Sequence, residues 1–519
     1  MSNLDIIFLL LFLFITLFLS IFYFLSIFKN YQLKMYSFAE TINSFKINLL
    51  EGYLLELIIF FNIFFCCLTE KIFVYISLSV FFVLTFLLIL KHKPKKNKNK
   101  VVFTKRFIRF FVLFILLNII IFSFLVLWLF KTGYFALIFA NFLILGFLIF
   151  MFAHFLIWPL EKLIKFTYIK KAQKKLKEIP NLKVIAITGS FGKTSVKNYL
   201  FEMLKTKYKV CKTQKSYNTD MGITKVILND LKFNDEILIL EMGADKLHDI
   251  NKLCKIVKPD YSIVTGVTNQ HLKTFKSFEN IVKTKFELIE NTKESGVVVL
   301  NAENEITKEF FNKTNIEKYL VGFGSDFYAV NLSLSYNSTS FILKDGENEC
   351  SITTKLLGKH NVINLLLAGK MAKFFGVNLK EIQKVIEELE PVEHRLNLIE
   401  NCGKFILDDS FNSNSEGVKS AIDVLKTFPN KKIVITPGIV ELGKDSFKEN
   451  YKLGKLLKDI DYIIITNDEN KNSILDGLQE RRENVFCVSS LLDATKKLQE
   501  IYFEGDCVLF LNDLPDCYS

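Results

Sequence analysis

The octapeptide Thr188-Gly189-Ser190-Phe191-Gly192-Lys193-Thr194-Ser195 constrains this chain more than any other stretch. It follows the β-branched run KVIAIT and opens a helical pattern, the setting a phosphate-binding loop requires. Glycines there let backbone N–H groups converge on phosphate oxygens at a helix N-terminus. Lys193 would neutralise β- and γ-phosphate charge, and the Thr194 hydroxyl would reach magnesium. The spacing is tighter than the common GxxxxGK[ST] loop, because position 187 is Ile and the first glycine is Gly189. A bare GxxGK[ST] is also compatible with an ordinary glycine turn, so the surrounding residues decide.

Those residues agree. From Lys183 onward, short runs (KVIAIT, EILILE, YSIVT, GVVVL) alternate with helical stretches, the pattern of a parallel α/β sheet. A second series begins near Lys404 with KFILDD, KKIVIT, DYIIIT, NVFCV and DCVLFL. Pro391 and PVEHRLN mark a hinge between the two, and residues 319–356 read as a small β insertion. Glu241 closes EILILE, so its carboxylate sits at a strand tip, where magnesium near a phosphate loop needs an oxygen. The same pattern suits a solvated strand end. His271 follows the next strand, and Lys285 lies 14 residues further on. Taken alone, the first is as readily a structural loop histidine and the second a surface lysine.

The first 160 residues differ in kind. Apolar runs over about Asp5–Phe28, Gly52–Leu68, Ile72–Leu90, Phe107–Phe130 and Tyr134–Trp158 each approach the ~20 residues a membrane-crossing helix needs. The expectation is a transmembrane bundle of about five helices over 1–160. Lys and Arg number 14 there against 5 Asp and Glu. Nine of the cations fall in 91–109. The positive-inside rule then places the N-terminus outside and everything after Trp158 in the cytoplasm. No small-residue cleavage site follows the first run, so it reads as an anchor. Glu56 lies near an inner end and reads as snorkelling or bundle-facing. Residues 161–180, with seven Lys and two Glu among spaced apolar residues, read as an amphipathic linker on an anionic leaflet or as a solvated helix. The expected place is thus the bacterial inner membrane, multi-pass, with membrane lipid as a partner. Beyond residue 160 the charge nearly balances, 52 basic against 49 acidic, which gives no nucleic-acid footprint. Nine cysteines without a CxxC pair read as reduced thiols.

In order, TGSFGKT, LEMGAD, TNQHL with a downstream KTKFE, GKHNVINLLLA, EHRLN and LDDSFNSN form a series that resembles the Mur ligase family of ATP-dependent amide ligases. The resemblance covers about residues 183–450. It implies a P-loop parallel-sheet ATP-binding domain over 181–395 and a C-terminal Rossmann-like α/β domain over 396–519. ATP and magnesium would be the cofactors. Gly189, Ser190, Gly192, Lys193, Thr194 and Ser195 would cradle phosphate, with Asn361 or Asn364 at the adenine, Arg395 near the phosphates and Asp409 facing the nucleotide. Thr194, Glu241, His271 and a carbamylated Lys285 would hold magnesium, and Lys193, Glu241, His271 and Lys285 would be catalytic. The activity implied is peptidoglycan precursor synthesis, adding D-alanyl-D-alanine to a UDP-linked muramoyl tripeptide through an acyl phosphate. A lipid-linked acceptor, or an ATPase coupled to transport, remains the alternative, and other cell-wall synthesis proteins are conceivable partners.

Overall fold

The structure is a computed structural model. It describes residues 27–34, 36–38, 41, 101–130 and 142–511, apart from 215–216, 271, 312–315, 326, 412–413, 441 and 480–483. The chain divides into two compact units, 1–166 with 516–519, and 167–515.

In the first unit, the expected runs over 52–68 and 72–90, and nearly all of that over 5–28, lie outside the described residues. The run Phe107–Phe130 lies in the helix Lys105–Phe130, and of Tyr134–Trp158 only 142–158 is described, in the helix Phe142–Lys177. Among the described residues no helix is long and apolar enough to cross a membrane. This overturns the expected transmembrane bundle and, with it, the multi-pass inner-membrane placement. Polar and charged side chains interrupt the described parts of both helices. Lys105, Arg106 and Arg109 fill the first turns of one, and Asn118 sits in its middle. The described part of the other passes from the apolar stretch 142–158 through Pro159 and Glu161 into a lysine-rich end. Part of the described apolar surface packs on itself, while Val112, Leu116, Ile119, Ile120 and Phe124 stand exposed. Phe28 meets Phe107, Phe110, Phe111 and Phe114 edge-on with centroids 5.1–6.0 Å apart. Polar groups pair internally: Tyr31 Oη lies 2.5 Å from His154 Nδ1, and Arg109 grips Glu161 with a fork of 2.6 and 2.9 Å.

The second unit begins inside the helix Phe142–Lys177, so the segment expected as a leaflet-bound linker continues this helix. The later part of its apolar side packs on protein, while Leu163 and Phe166 stand exposed. Ala172 is fully buried, and Ile169 and Leu176 join the same core. Gln173 Nε2 donates to Lys255 O at 2.8 Å, and Lys175 Nζ donates to Leu228 O and Leu231 O at 3.1 and 2.6 Å. The face carrying Ile169, Ala172 and Leu176 is thus occupied by protein, and nothing in the described residues supports membrane lipid as its partner.

Six parallel strands make the first sheet: β1 (Lys183–Thr188), β2 (Val210–Lys212), β3 (Ile237–Glu241), β4 (Tyr261–Val264), β5 (Val297–Asn301) and β6 (Glu317–Val321), in the order β2-β3-β1-β4-β5-β6. β3 and β5 are buried at every residue, which is why they read as unbroken apolar runs: helices cover both faces of a parallel sheet. The order reverses beside β1, and ligands bind at the carboxyl ends of strands at such a switch point. β7 (Phe327–Leu334), β8 (Thr339–Asp345) and β9 (Asn348–Thr354) form a small antiparallel sheet. The buried helix Lys359–Phe374 follows and shares the core beside the helix Lys193–Leu204. The second sheet contains β10 (Asn397–Asn401), β11 (Lys404–Asp409), β12 (Lys432–Thr436), β13 (Tyr462–Ile465), β14 (Val485–Cys487) and β15 (Cys507–Leu511), ordered β10-β11-β15-β12-β13-β14. Only β10 runs antiparallel to its neighbour.

Candidate active site

The loop between β1 and the helix Lys193–Leu204 is shaped by two glycines that no other residue replaces. Gly189 has φ +148°, and a Cβ there would lie 2.1 Å from Thr265 Oγ1. Gly192 has φ +73° at the helix start, and a Cβ there would lie 2.4 Å from Asn364 Oδ1. Ser190 N donates to Gly266 O at 2.8 Å, and Thr268 N donates to Ser190 Oγ at 3.1 Å, so the loop is tied to the segment after β4. The helix N-terminus behind it is a natural anion site. Gly192→Ala should therefore raise the Kd for ATP by about 5- to 30-fold, since the left-handed backbone alone costs an L-residue about 1–2 kcal/mol. Calorimetric titration with ATP checks this.

Glu241 ends β3 and is 2% exposed. Four side chains converge on it. Thr194 Oγ1 and Lys197 Nζ each donate to its Oε2 at 3.0 Å, and Asn218 Nδ2 donates to its Oε1 at 3.3 Å. Lys193 also acts on it through space. Burial alone would raise the pKa of this carboxyl. The Lys197 and Lys193 ammoniums, with the hydrogen bonds from Lys197 and Thr194, outweigh that and hold it below the ordinary carboxylate value. Lys193 Nζ donates to Gly189 O at 2.8 Å and to Ser190 O at 3.3 Å. Its pKa is pushed down by burial against the pull of Glu241, and Arg395 lowers it further.

These groups border a cavity of about 120 Å³. Of the residues read from the sequence, Ser190, Gly192, Lys193, Thr194, Ser195, Glu241 and Arg395 line it. Lys285 does not. It is buried on the helix Phe278–Asn291, its Nζ 6.0 Å from the Phe275 ring centre. Burial, and then Lys193, push its pKa down to about 7 against the opposing pull of Asp245 and Asp249. Asn364 backs Gly192. Asn361 faces the core, accepting from Tyr199 Oη at 3.0 Å and donating to Leu357 O at 2.9 Å. Asp409 is buried at the tip of β11, accepts from Leu396 N at 3.1 Å and acts electrostatically on Arg395. His271 lies outside the described residues.

The cavity also takes in residues the sequence did not single out. Asn218 precedes Thr219, the cap of the helix Asp220–Asn229, and nothing in the sequence marks it. Gln270, Phe411 and Asn414 line it as well. The last two fall within LDDSFNSN, and Asn414 also caps the helix Ser415–Leu425. Lys197 carried a readable signal, because a residue four beyond Lys193 shares its helix face.

Among the described residues no group of three His, Cys, Asp or Glu surrounds a metal position. The donors present are nevertheless of the right kind for magnesium, which takes one or two carboxylate oxygens and completes its shell with water and phosphate. Glu241 Oε2 and Thr194 Oγ1 supply two hard oxygens beside the phosphate loop.

Comparison with known proteins agrees with this geometry. The Mur ligase middle domain profile matches residues 187–372, and the Mur ligase glutamate ligase domain profile matches 394–512, together more than half of the chain. The UDP-N-acetylmuramoyl-tripeptide–D-alanyl-D-alanine ligase of Haemophilus influenzae is 28% identical over 310 residues, covering 58% of this chain and 67% of that one. The Bacillus subtilis ligase of the same name is 30% identical over 264 residues, covering 50% and 57%. Among solved structures, MurF ligase from Thermotoga maritima in complex with ADP is 27% identical with a TM-score of 0.61, covering 67% of this chain and 80% of that one. MurF from Acinetobacter baumannii, 25% identical, has a TM-score of 0.61 over 67% and 77%.

Proposed function

We propose that this chain, which belongs to the Mur ligase family of ATP-dependent amide ligases, joins D-alanyl-D-alanine to a UDP-N-acetylmuramoyl-tripeptide. The observation that carries the proposal is the convergence of Lys193, Thr194 and Glu241 on one cavity at the switch point of a parallel sheet. The substrates are those in the names of the Haemophilus and Bacillus relatives, of which this chain spans 67% and 57%. ATP is supported by the phosphate loop and by the ADP bound to the Thermotoga neighbour. The nucleotide-binding part is assigned to 181–395 and the C-terminal part to 396–519.

The chemistry follows from charge. A carboxylate and a triphosphate repel each other, so the site must supply positive charge where they meet. Lys193 and Arg395, which both line the cavity, provide it. The backbone N–H groups at the helix start take the phosphate oxygens, at a turn that Asn364 lies against. The substrate carboxylate attacks the γ-phosphorus, the bond to the β-phosphate oxygen breaks, and ADP leaves. The amine then attacks the acyl phosphate carbon, loses a proton, and expels inorganic phosphate to leave the amide. Magnesium, when bound, neutralises phosphate charge. Thr194 and Glu241 would hold it, with His271 and a carbamylated Lys285 as further ligands. Phe411 and Asn414, lining the same cavity, would help exclude water from the acyl phosphate.

Purified protein supplied with ATP should release ADP only when both the muramoyl tripeptide nucleotide and D-alanyl-D-alanine are present, one ADP per amide by mass spectrometry. ATP turnover that needs neither substrate contradicts the proposal.

A further inference from the structure

Lys197 is a buried ammonium that the mechanism above does not use. It is 1% exposed, yet it lies 3.0 Å from Glu241 Oε2, the same oxygen to which Thr194 Oγ1 donates. The two residues offered as metal ligands are thus already joined at one oxygen, and a lysine closes on that oxygen from the helix interior. Lys193 and Arg395 bear on the same carboxylate electrostatically. One buried carboxylate therefore faces three cations.

A divalent ion entering this place alone would meet the cations Lys193, Lys197 and Arg395 beside Glu241, with Asp245 acting on Lys193 and Asp409 on Arg395. Like charges at such spacing in a low-dielectric interior repel strongly. A triphosphate arriving with the ion brings enough negative charge to reverse the balance. We propose that Lys197 is a positioning residue that keeps Glu241 closed to a bare divalent cation and makes metal binding conditional on nucleotide. It holds Oε2 against Thr194 in the nucleotide-free protein and gives ground only when phosphate oxygens share its charge. The inference rests on the reading of Glu241 as a metal ligand.

The test uses manganese as a spectroscopic stand-in for magnesium. Its binding to the full chain is followed by electron paramagnetic resonance, with and without ADP. Wild-type protein should bind the ion measurably only with ADP. Lys197→Gln keeps a donor to Oε2 without the charge. It should bind manganese without ADP at least about tenfold more tightly than wild type, within the 10–100-fold range over which partners of metal ligands set affinity. Lys197→Arg, which keeps the charge, should behave as wild type. Equal nucleotide-free affinity in Lys197→Gln and wild type overturns the inference. So does wild-type protein that binds manganese as well without ADP as with it, a measurement that needs no variant to fold. Glu241→Gln separates the two levels. If it leaves manganese binding in the ADP complex unchanged, the reading of Glu241 as a ligand fails. If it abolishes that binding while Lys197→Gln matches wild type, only the role of Lys197 fails.

Discussion

Lys193→Ala should lower kcat at saturating substrates by roughly 10²–10³-fold, the loss that follows removal of one preorganised charge contact at a reacting centre. The side chain lines the cavity, and its ammonium rests on the carbonyls of Gly189 and Ser190. A phosphate oxygen is a stronger acceptor than either carbonyl, so the contact is exchanged at little reorganisation cost when a triphosphate arrives. The effect should fall on kcat as well as on the KM for ATP, because charge on the transferring phosphoryl group changes most in the transition state. Steady-state kinetics on a variant with an unchanged circular dichroism spectrum decides the matter. A kcat within a factor of about ten of wild type would mean that Lys193 only binds ground-state nucleotide.

The second large effect concerns Lys285. Its amine has a pKa of about 7, far below the ordinary lysine value, because it is buried and stands near Lys193. A neutral amine adds to carbon dioxide, forming an N–C bond and releasing a proton, and the product is a carboxylate-like group. On the proposed role, Lys285→Ala lowers activity by roughly 10–100-fold, and millimolar acetate restores part of it. Full activity in that variant contradicts the carbamate assignment. The pH dependence has a definite sign. As pH falls through about 7 the amine takes up its proton, so wild-type activity falls at fixed dissolved carbon dioxide. Stability moves the same way. Between about 7 and the ordinary lysine pKa the unfolded chain binds a proton that the folded chain does not, so stability rises with pH across that window. Below about 7 both forms are protonated and the burial cost of the ammonium is fully present. Thermal melts at pH 6 and pH 9 should therefore show Lys285→Met gaining more over wild type at pH 6.

What the sequence made legible follows from burial. Strands covered on both faces leave continuous β-branched runs, and KVIAIT coincides with β1 while ILILE coincides with β3. The glycine turn was visible because positive φ admits few other residues. Relations across the fold were not. Asn361 and Asn364 lie one turn apart on one helix, yet one turns to Tyr199 and the other to Gly192, a choice made by the neighbouring helix Lys193–Leu204. Asn218 reaches Glu241 from a loop whose course no local pattern records. The apolar stretches misled for a related reason. Apolar content states that a helix must be covered but does not say by what. Ile169, Ala172 and Leu176 show the spacing of a buried stripe, and their cover is the neighbouring protein core.

The central claim is that a carboxylate is phosphorylated by ATP at the cavity between Lys193 and Glu241. Isotope transfer tests it most directly. With ¹⁸O in the acceptor carboxylate, one labelled oxygen should appear in the inorganic phosphate for each amide formed, because the acyl phosphate carries that oxygen away. Unlabelled phosphate released alongside the amide would contradict the account.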